Sequence, residues 1–269
     1  MESVDYRIAF DGTKDHFCGK KNYRYDKIYY SSNEELGTLF STVEMKGRRV
    51  LTVQASSDQL FHISKKKPSS IDTFDINQLT KYYYYLRKWS ILYGNSFYFN
   101  VFDPEKTYEL LRRVKVGSDE EIDAYSYWRE YLRCIPIPFY KDFFMVACKP
   151  YRNEIKDLRD LRKFLVDYKL NFSCIDISRE TLRKKYDTIV ISNILEYYDA
   201  DRSRIDDIRN NLYGMLSDGG EILSSNIMDR FASFNITDSF GELFDTRSIV
   251  DKEKRNIGYV YTKKGVNKK

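Results

Sequence analysis

Histidine and cysteine are scarce in this sequence: two histidines, His16 and His62, and four cysteines, Cys18, Cys134, Cys148 and Cys174, none forming a CxxC pair. Zinc sites and disulfide frameworks need such residues at ligand or bridge spacing. Neither is expected, no metal is implied, and the thiols are expected reduced and partly buried. With five prolines and 12 glycines, the 269-residue chain has no low-complexity linker. GxxxxGK[ST] is missing, which excludes a P-loop, and so is GxGxxG. No apolar run reaches the roughly 20 residues that a bilayer-spanning helix takes. The opening MESVDYRIAFDGTKD carries charges where a secretory leader is apolar, so a cytoplasmic globular protein is expected.

Aromatic residues are plentiful. The 24 Tyr, 17 Phe and 2 Trp make up 16% of a chain that is 42% hydrophobic, enough for a sizeable core. The net charge of +5 is spread along the chain, and only the tail KKGVNKK is compactly basic. That distribution reads as solvated surface and disfavours a nucleic-acid partner.

Along the chain, residues 1–30 read as irregular and Tyr-rich. Asn33 reads as a helix cap before Leu36, Leu39, Phe40 and Val43, with Gly47 ending the helix. Val50, Leu51 and Val53 form a short apolar run that stops at Ala55, Ser56 and Ser57, as a strand buried on both faces would. A short helix follows at Leu60, Phe61 and Ile63. SIDTFD is a second strand ending at Asp75, and the following long helix places Leu79, Tyr82, Tyr83, Leu86, Trp89, Ser90 and Tyr93 on one packing face. Residues of about 95–150 read as a mostly helical insertion: Asp103-Pro104 opens one helix, Gly117 closes it, and Ser118 with Glu121 forms a capping box for the next. CIPIPFYKDFF is too Pro-rich for a helix interior.

Alternation then resumes. A helix carries Ile155, Leu158, Leu161, Leu165 and Tyr168; NFSCID is a third strand ending at Asp176; a short helix precedes a fourth strand, YDTIVISN, ending at Ser192-Asn193. Ile205, Ile208, Leu212 and Met215 mark a further helix. The turn SDGG leads into a fifth strand, EILSSN, and TRSIV with IGYVYTK forms an antiparallel hairpin. The expectation is an α/β fold with a mainly parallel sheet and an antiparallel edge, divided into an N-terminal helical or lid segment at 1–46 and a sheet domain at 47–269.

In such a sheet, ligands bind beyond the carboxyl ends of the strands. Those ends carry the small and polar residues ASSD, Asp75, Asp176 and Ser192-Asn193. A turn of small residues lets a ligand approach the backbone. Asp75, twenty residues after Ala55, either accepts hydrogen bonds from ribose hydroxyls or caps the next helix. Ser192-Asn193 likewise reads as a site or as a structural strand ending. ASSDQL lacks the glycines that a pyrophosphate requires, which moves the pattern from NAD towards a nucleoside without phosphates.

VLTVQASSDQLF, FDINQLTKYYYYLRKWSI, FSCIDI, YDTIVISNILEYY and LSDGGEIL, in that order, resemble the successive motifs of class I methyltransferase-like domains dependent on S-adenosyl-L-methionine (SAM). Within them the resemblance points to the transferases of betaine-lipid synthesis, which move a 3-amino-3-carboxypropyl group from SAM to diacylglycerol. The resemblance implies a Rossmann-like, mainly parallel seven-stranded sheet with an antiparallel C-terminal hairpin. It implies that Ala55, Ser56 and Asp58 line the methionine part of SAM and that Asp75 holds the ribose, with Asn77 at the same edge. Asp176 and Ile177 would border adenine, and Ser192 and Asn193 would close the site near the sulfonium. Ala55 and Ser57 depart from the family pattern, where Gly is commoner. Glu196, Tyr197 and Tyr198 project over the pocket if the fourth strand ends as read, and YRYDKIYYSSN is either a lid or surface packing.

The leading expectation is a SAM-dependent transferase acting on a small-molecule or lipid acceptor. The rivals are a non-catalytic scaffold that kept the fold and an NAD-linked enzyme. The catalytic residues and any protein partner are left open.

Overall fold

Successive strand residues point to opposite faces, and here both faces are covered. Val50 packs into one core with Leu60, Phe61, Tyr83 and Leu86, whereas Leu51 enters a second with Ile189, Ile208 and Leu212. The computed structural model describes residues 6–20, 23–25, 27–32, 34–136, 144–145, 154–198, 201–225, 236–253 and 255–265. Its strands are β1 (Ile28–Tyr29), β2 (Arg49–Val53), β3 (Ser70–Asp75), β4 (Phe144–Met145), β5 (Phe172–Cys174), β6 (Tyr186–Ser192), β7 (Leu216–Ser225), β8 (Phe244–Val250) and β9 (Asn256–Lys263). Seven of them form one sheet in the order β5-β3-β2-β6-β7-β9-β8, and β1 pairs separately with β4. Pairing is parallel from β5 through β7, and β9 runs antiparallel to both β7 and β8. This is the Rossmann-like sheet with a C-terminal hairpin. The chain walks outward through β2, β3 and β5, returns to the middle, and walks the other way through β6 and β7. The topological switch point therefore lies between β2 and β6.

The helices are α1 (Tyr6–Phe17), α2 (Leu36–Ser41), α3 (Asp58–Ser64), α4 (Leu79–Tyr93), α5 (Pro104–Arg113), α6 (Asp119–Cys134), α7 (Arg159–Asp167), α8 (Ile194–Tyr197), α9 (Arg202–Met215) and α10 (Ile236–Gly241). Asp103 accepts from Lys106 N at 3.1 Å and Ser118 Oγ from Glu121 N at 3.3 Å, so both expected caps form. Glu121 reaches back to Gly117 N at 2.8 Å. No helix among the described residues is long and apolar enough to cross a membrane, and no group of His, Cys, Asp or Glu among them could hold a metal ion.

α4 is not amphipathic in place. Every residue from Leu79 to Ile91 is buried, because α6 covers the side that the sheet leaves free. Trp128 Nε1 donates to Tyr82 O at 2.8 Å, and the Tyr82 and Tyr127 rings stack at 4.5 Å. Lys88, on a buried helix, answers Glu121 at 3.0 Å.

Several expectations are corrected. The N-terminal stretch read as irregular contains α1, stabilised by packing that its polar sequence does not advertise: Tyr6 N donates to Asp123 at 2.7 Å, and the Thr13 and Tyr127 hydroxyls meet at 2.9 Å. α2 ends at Ser41 and α5 at Arg113, before the glycines expected to stop them. Gly47 instead takes φ +71° in the turn before β2. The third strand stops at Cys174, and the helix expected before β6 is a turn in which Arg179 N and Glu180 N donate to Asp176 O at 2.8 Å. SDGG lies inside β7 as an irregularity, where the register jumps from Tyr186↔Leu216 to Thr188↔Glu221. Cys18 and Cys134 are exposed rather than partly buried. Asn33, Cys148 and most of CIPIPFYKDFF lie outside the described residues.

α2 lies against the C-terminal hairpin. A side chain at Gly258 would place its Cβ 2.3 Å from Ser224 O and 3.1 Å from Leu39 Cδ1, so the absence of one lets α2 lie on β9. Arg247 on β8 also donates to Thr42 O at 3.1 Å.

Candidate active site at the strand ends

The turn after β2 is held from three directions. Ala55 and Ser57 have φ of +38° and +70°, the left-handed region where a Cβ costs about 1–2 kcal/mol. The backbone thus keeps the path of a glycine turn without its glycines. The Asp75 carboxylate, at the end of β3, accepts from Ala55 N and from Asn77 N, each at 2.9 Å. Gln54 Nε2 donates to Ser57 Oγ at 2.6 Å. From the third side comes Arg87 of α4, wholly buried, donating to Ser56 O and to Asp58 Oδ1 at 2.9 Å each. The rings of Phe61, Tyr83, Phe97 and Tyr98 stand 5.1 to 5.8 Å from its guanidinium. Burial opposes the charge of Arg87, but Asp58 more than offsets it and holds the guanidinium above its ordinary range.

If the left-handed turn strains Ala55, Ala55→Gly is expected to leave stability unchanged or raise it by up to about 1 kcal/mol, because relief of the strain outweighs the extra freedom of the unfolded chain. Thermal unfolding reads this directly, and a loss of more than about 1 kcal/mol would assign the methyl group a packing role instead.

Ala55 and Asp75 face one another across β2 and β3. Asn77 turns away from that pair: its Oδ1 accepts from Leu79 N at 3.0 Å and its Nδ2 donates to Lys27 O at 3.2 Å. Ser56 and Asp58 are committed to each other at 3.0 Å and to Arg87. Beyond β5, Asp176 accepts from Ser178 N and Oγ at 3.0 and 2.6 Å, with Arg179 and Arg204 at 3.5 and 3.8 Å. The Ile177 side chain is buried in the second core. Ser192 ends β6 with φ +54°, and its hydroxyl contacts Glu34 at 2.8 Å and Asn193 Oδ1 at 3.3 Å.

Burial pushes the carboxyl of Asp75 up to about 6, against the lowering effect of the amides of Asn77 and Ala55. Each oxygen keeps lone pairs for further donors.

Sequence reasoning missed Arg87, Ser32, Glu34 and Gln59. Ser32 N donates to Asp58 at 2.6 Å, and Ser32 Oγ to Glu34 at 3.0 Å. Glu34, 2% exposed, accepts from Gln59 Nε2 and from Ser192 Oγ. The segment around Tyr30–Glu34 thus crosses the crevice between β2 and β6, anchored where Tyr83 donates to Tyr30 O at 2.7 Å. The hydroxyls of Tyr29 and Tyr197 also meet, while Glu196 is buried. Arg87 had a signal in the sequence: four residues after Tyr83, it lies on the same helical face. Glu34 had none, because no local pattern ties it to Ser192.

No protein-family model matches the chain, and no curated protein does. Among solved structures, the chain is similar to the N-methyltransferase NodS from Bradyrhizobium japonicum WM9 in complex with S-adenosyl-L-homocysteine, with 9% identity, coverage of 95% of this chain and 98% of that one, and a TM-score of 0.42. A TehB-like SAM-dependent methyltransferase from Corynebacterium glutamicum ATCC 13032 aligns at 10% identity over 96% and 97%, TM-score 0.41. A ribosomal protein L11 methylase from Lactobacillus delbrueckii subsp. bulgaricus aligns at 13% identity over 86% and 77%, TM-score 0.41.

Proposed function

We propose that the chain is a SAM-dependent transferase that moves a methyl or 3-amino-3-carboxypropyl group to a small-molecule or lipid acceptor. The observation that carries this reading is the junction of Asp75 with Ala55 N, 2.9 Å apart, in a turn that keeps glycine-type dihedrals beside the switch point. Such a junction suits a nucleoside: the carboxylate takes the two ribose hydroxyls, and the turn lies against the group at the 5′ position. Adenine then extends towards β5 and Asp176. The motif resemblance adds the identity of the nucleoside. SAM supplies an electrophilic carbon next to a sulfonium; the protein's own work is to align the acceptor and exclude water. No general base is required, which accords with the shortage of histidine.

The closed polar network of Arg87, Asp58, Ser32 and Glu34 favours a second reading, a non-catalytic scaffold that kept the fold. Calorimetric titration with SAM separates the two: one saturable site supports the transferase, and no heat from well-folded protein supports the scaffold. Chromatography of the by-product then distinguishes the transfers, since methyl transfer leaves S-adenosylhomocysteine and aminocarboxypropyl transfer leaves 5′-methylthioadenosine.

The pH dependence follows from Asp75. With its carboxyl at about 6, it is mostly ionised at pH 7.5 and about nine-tenths protonated at pH 5. The neutral acid loses charge assistance and acceptor capacity, so nucleoside affinity is expected to fall about tenfold over that interval. Asp75→Asn is expected to flatten the profile. Because the folded-state value lies above the unfolded one, the ligand-free protein binds more protons than the unfolded chain between about pH 4 and 6, and its stability declines as pH rises through that window.

A further inference from the structure

We propose that the amino ends of the central strands form a docking surface for an anionic lipid bilayer, at the end of the sheet opposite the candidate site. Three basic segments far apart in sequence meet there: KGRR at 46–49 before β2, KKK at 65–67 before β3, and RKK at 183–185 before β6. Backbone pairing fixes them side by side. Gly47 N donates to Lys67 O at 3.0 Å and Ser69 N to Arg48 O at 2.9 Å. Arg49 N donates to the Asp187 carboxylate, also at 2.9 Å. The tail KKGVNKK starts at the same end, because β9 runs antiparallel and pairs Thr262 with Glu221 of β7. Charge that looks dispersed along the sequence is therefore gathered by the fold.

Of the nine cations in these segments, Arg48, Arg49 and Lys184 answer Glu221, Asp187 and Asp72 at 2.6, 3.0 and 2.6 Å. Glu44 also lies here, its carboxylate accepting from Lys46 N at 2.7 Å. The other six, Lys46, Lys65, Lys66, Lys67, Arg183 and Lys185, form no ion pair with a described residue, and all except the half-buried Lys66 are exposed. Like charges held this close repel one another, and a polyanionic partner removes that cost. Lys67 adds an independent sign. Its φ is +55°, in the left-handed region where glycine is the usual residue, yet the position carries a cation. Five of the six are lysines, compact point charges suited to the diffuse field of a lipid surface. Clusters of about four to eight such residues are drawn to phosphatidylserine. A single-stranded nucleic acid needs aromatic rings for its bases to stack on. The exposed aromatic side chains among the described residues, Tyr108 and Tyr197, belong to α5 and α8 and to none of these segments. With this end on a bilayer, the candidate site faces the water.

The test is co-sedimentation of the full chain with vesicles of phosphatidylcholine alone and of phosphatidylcholine with about one-third phosphatidylserine. Wild-type protein is expected to bind only the anionic vesicles and to lose at least about tenfold in affinity between roughly 0.1 and 0.5 M salt. Lys46→Gln, Lys65→Gln and Lys67→Gln together are expected to weaken binding about a hundredfold. Lys14→Gln, Lys20→Gln and Lys252→Gln remove the same charge from α1, the turn after it and the turn between β8 and β9. That variant is expected to stay within about threefold of wild type. Lys67→Gly is expected to weaken binding about fivefold while leaving the thermal midpoint unchanged or raising it, a combination that loss of fold cannot produce. Wild-type protein that binds neither vesicle, or both equally, overturns the proposal without any variant. Equal weakening by the two triple variants also overturns it, because net charge and not this face would then be responsible. If wild-type protein binds a mixed-sequence RNA hairpin more tightly than the anionic vesicles, and the first triple variant loses that binding, the face belongs to nucleic acid and the lipid assignment falls.

Discussion

Replacing Arg87 by Ala is expected to lower the unfolding free energy by about 3–5 kcal/mol, the usual cost of removing one partner from a buried ion pair. Arg87 and Asp58 are both wholly buried and 2.9 Å apart, so the surviving carboxylate is stranded away from water. The loss includes the bond to Ser56 O and the aromatic box around the guanidinium. Asp58→Ala is expected to cost a similar amount by stranding the cation instead. A double variant, Asp58→Leu with Arg87→Met, removes both charges and is expected to recover at least half of the single-variant loss. Urea unfolding of the four proteins makes the comparison. If each single variant loses less than about 1 kcal/mol, the pair is not the element that holds the turn.

Asp75→Ala is expected to weaken S-adenosylhomocysteine binding by at least a hundredfold, because two charge-assisted hydrogen bonds of roughly 1.5–3 kcal/mol each are removed. Asp75 also holds Ala55 N and Asn77 N, so a loss of affinity alone does not separate a ribose contact from a loop support. The separation comes from the ligand. Wild-type protein is expected to prefer adenosine to 2′,3′-dideoxyadenosine strongly, and Asp75→Ala to bind both alike. If the variant keeps the preference while binding both more weakly, Asp75 acts only on the turn.

The sheet was legible because its strands are short apolar runs with sharp ends. RVLTV, SIDTFD and YDTIVIS are buried on both faces, and no surface periodicity blurs them. α4 was placed correctly but read as one-sided, since the sequence cannot say that α6 will cover its back. α1 was missed because its packing partner, α6, lies more than a hundred residues away. At the site, Asp75 and Ala55 were legible through their interval and residue type. The network on Glu34 was not, because it joins positions 34, 59 and 192, and only tertiary structure brings them together.

The contact of Leu39 and Thr42 with Gly258 and Arg247 has a consequence for biosynthesis. A nascent chain leaves the ribosome amino end first, at about 5–20 residues per second, so α2 emerges long before the hairpin on which it rests. α2 therefore has no complete platform until β9 has been made. Docking of α2 waits for β8 and β9, and a truncation that removes this hairpin would leave α2 without the strand it rests on while α1 keeps its contacts with α6.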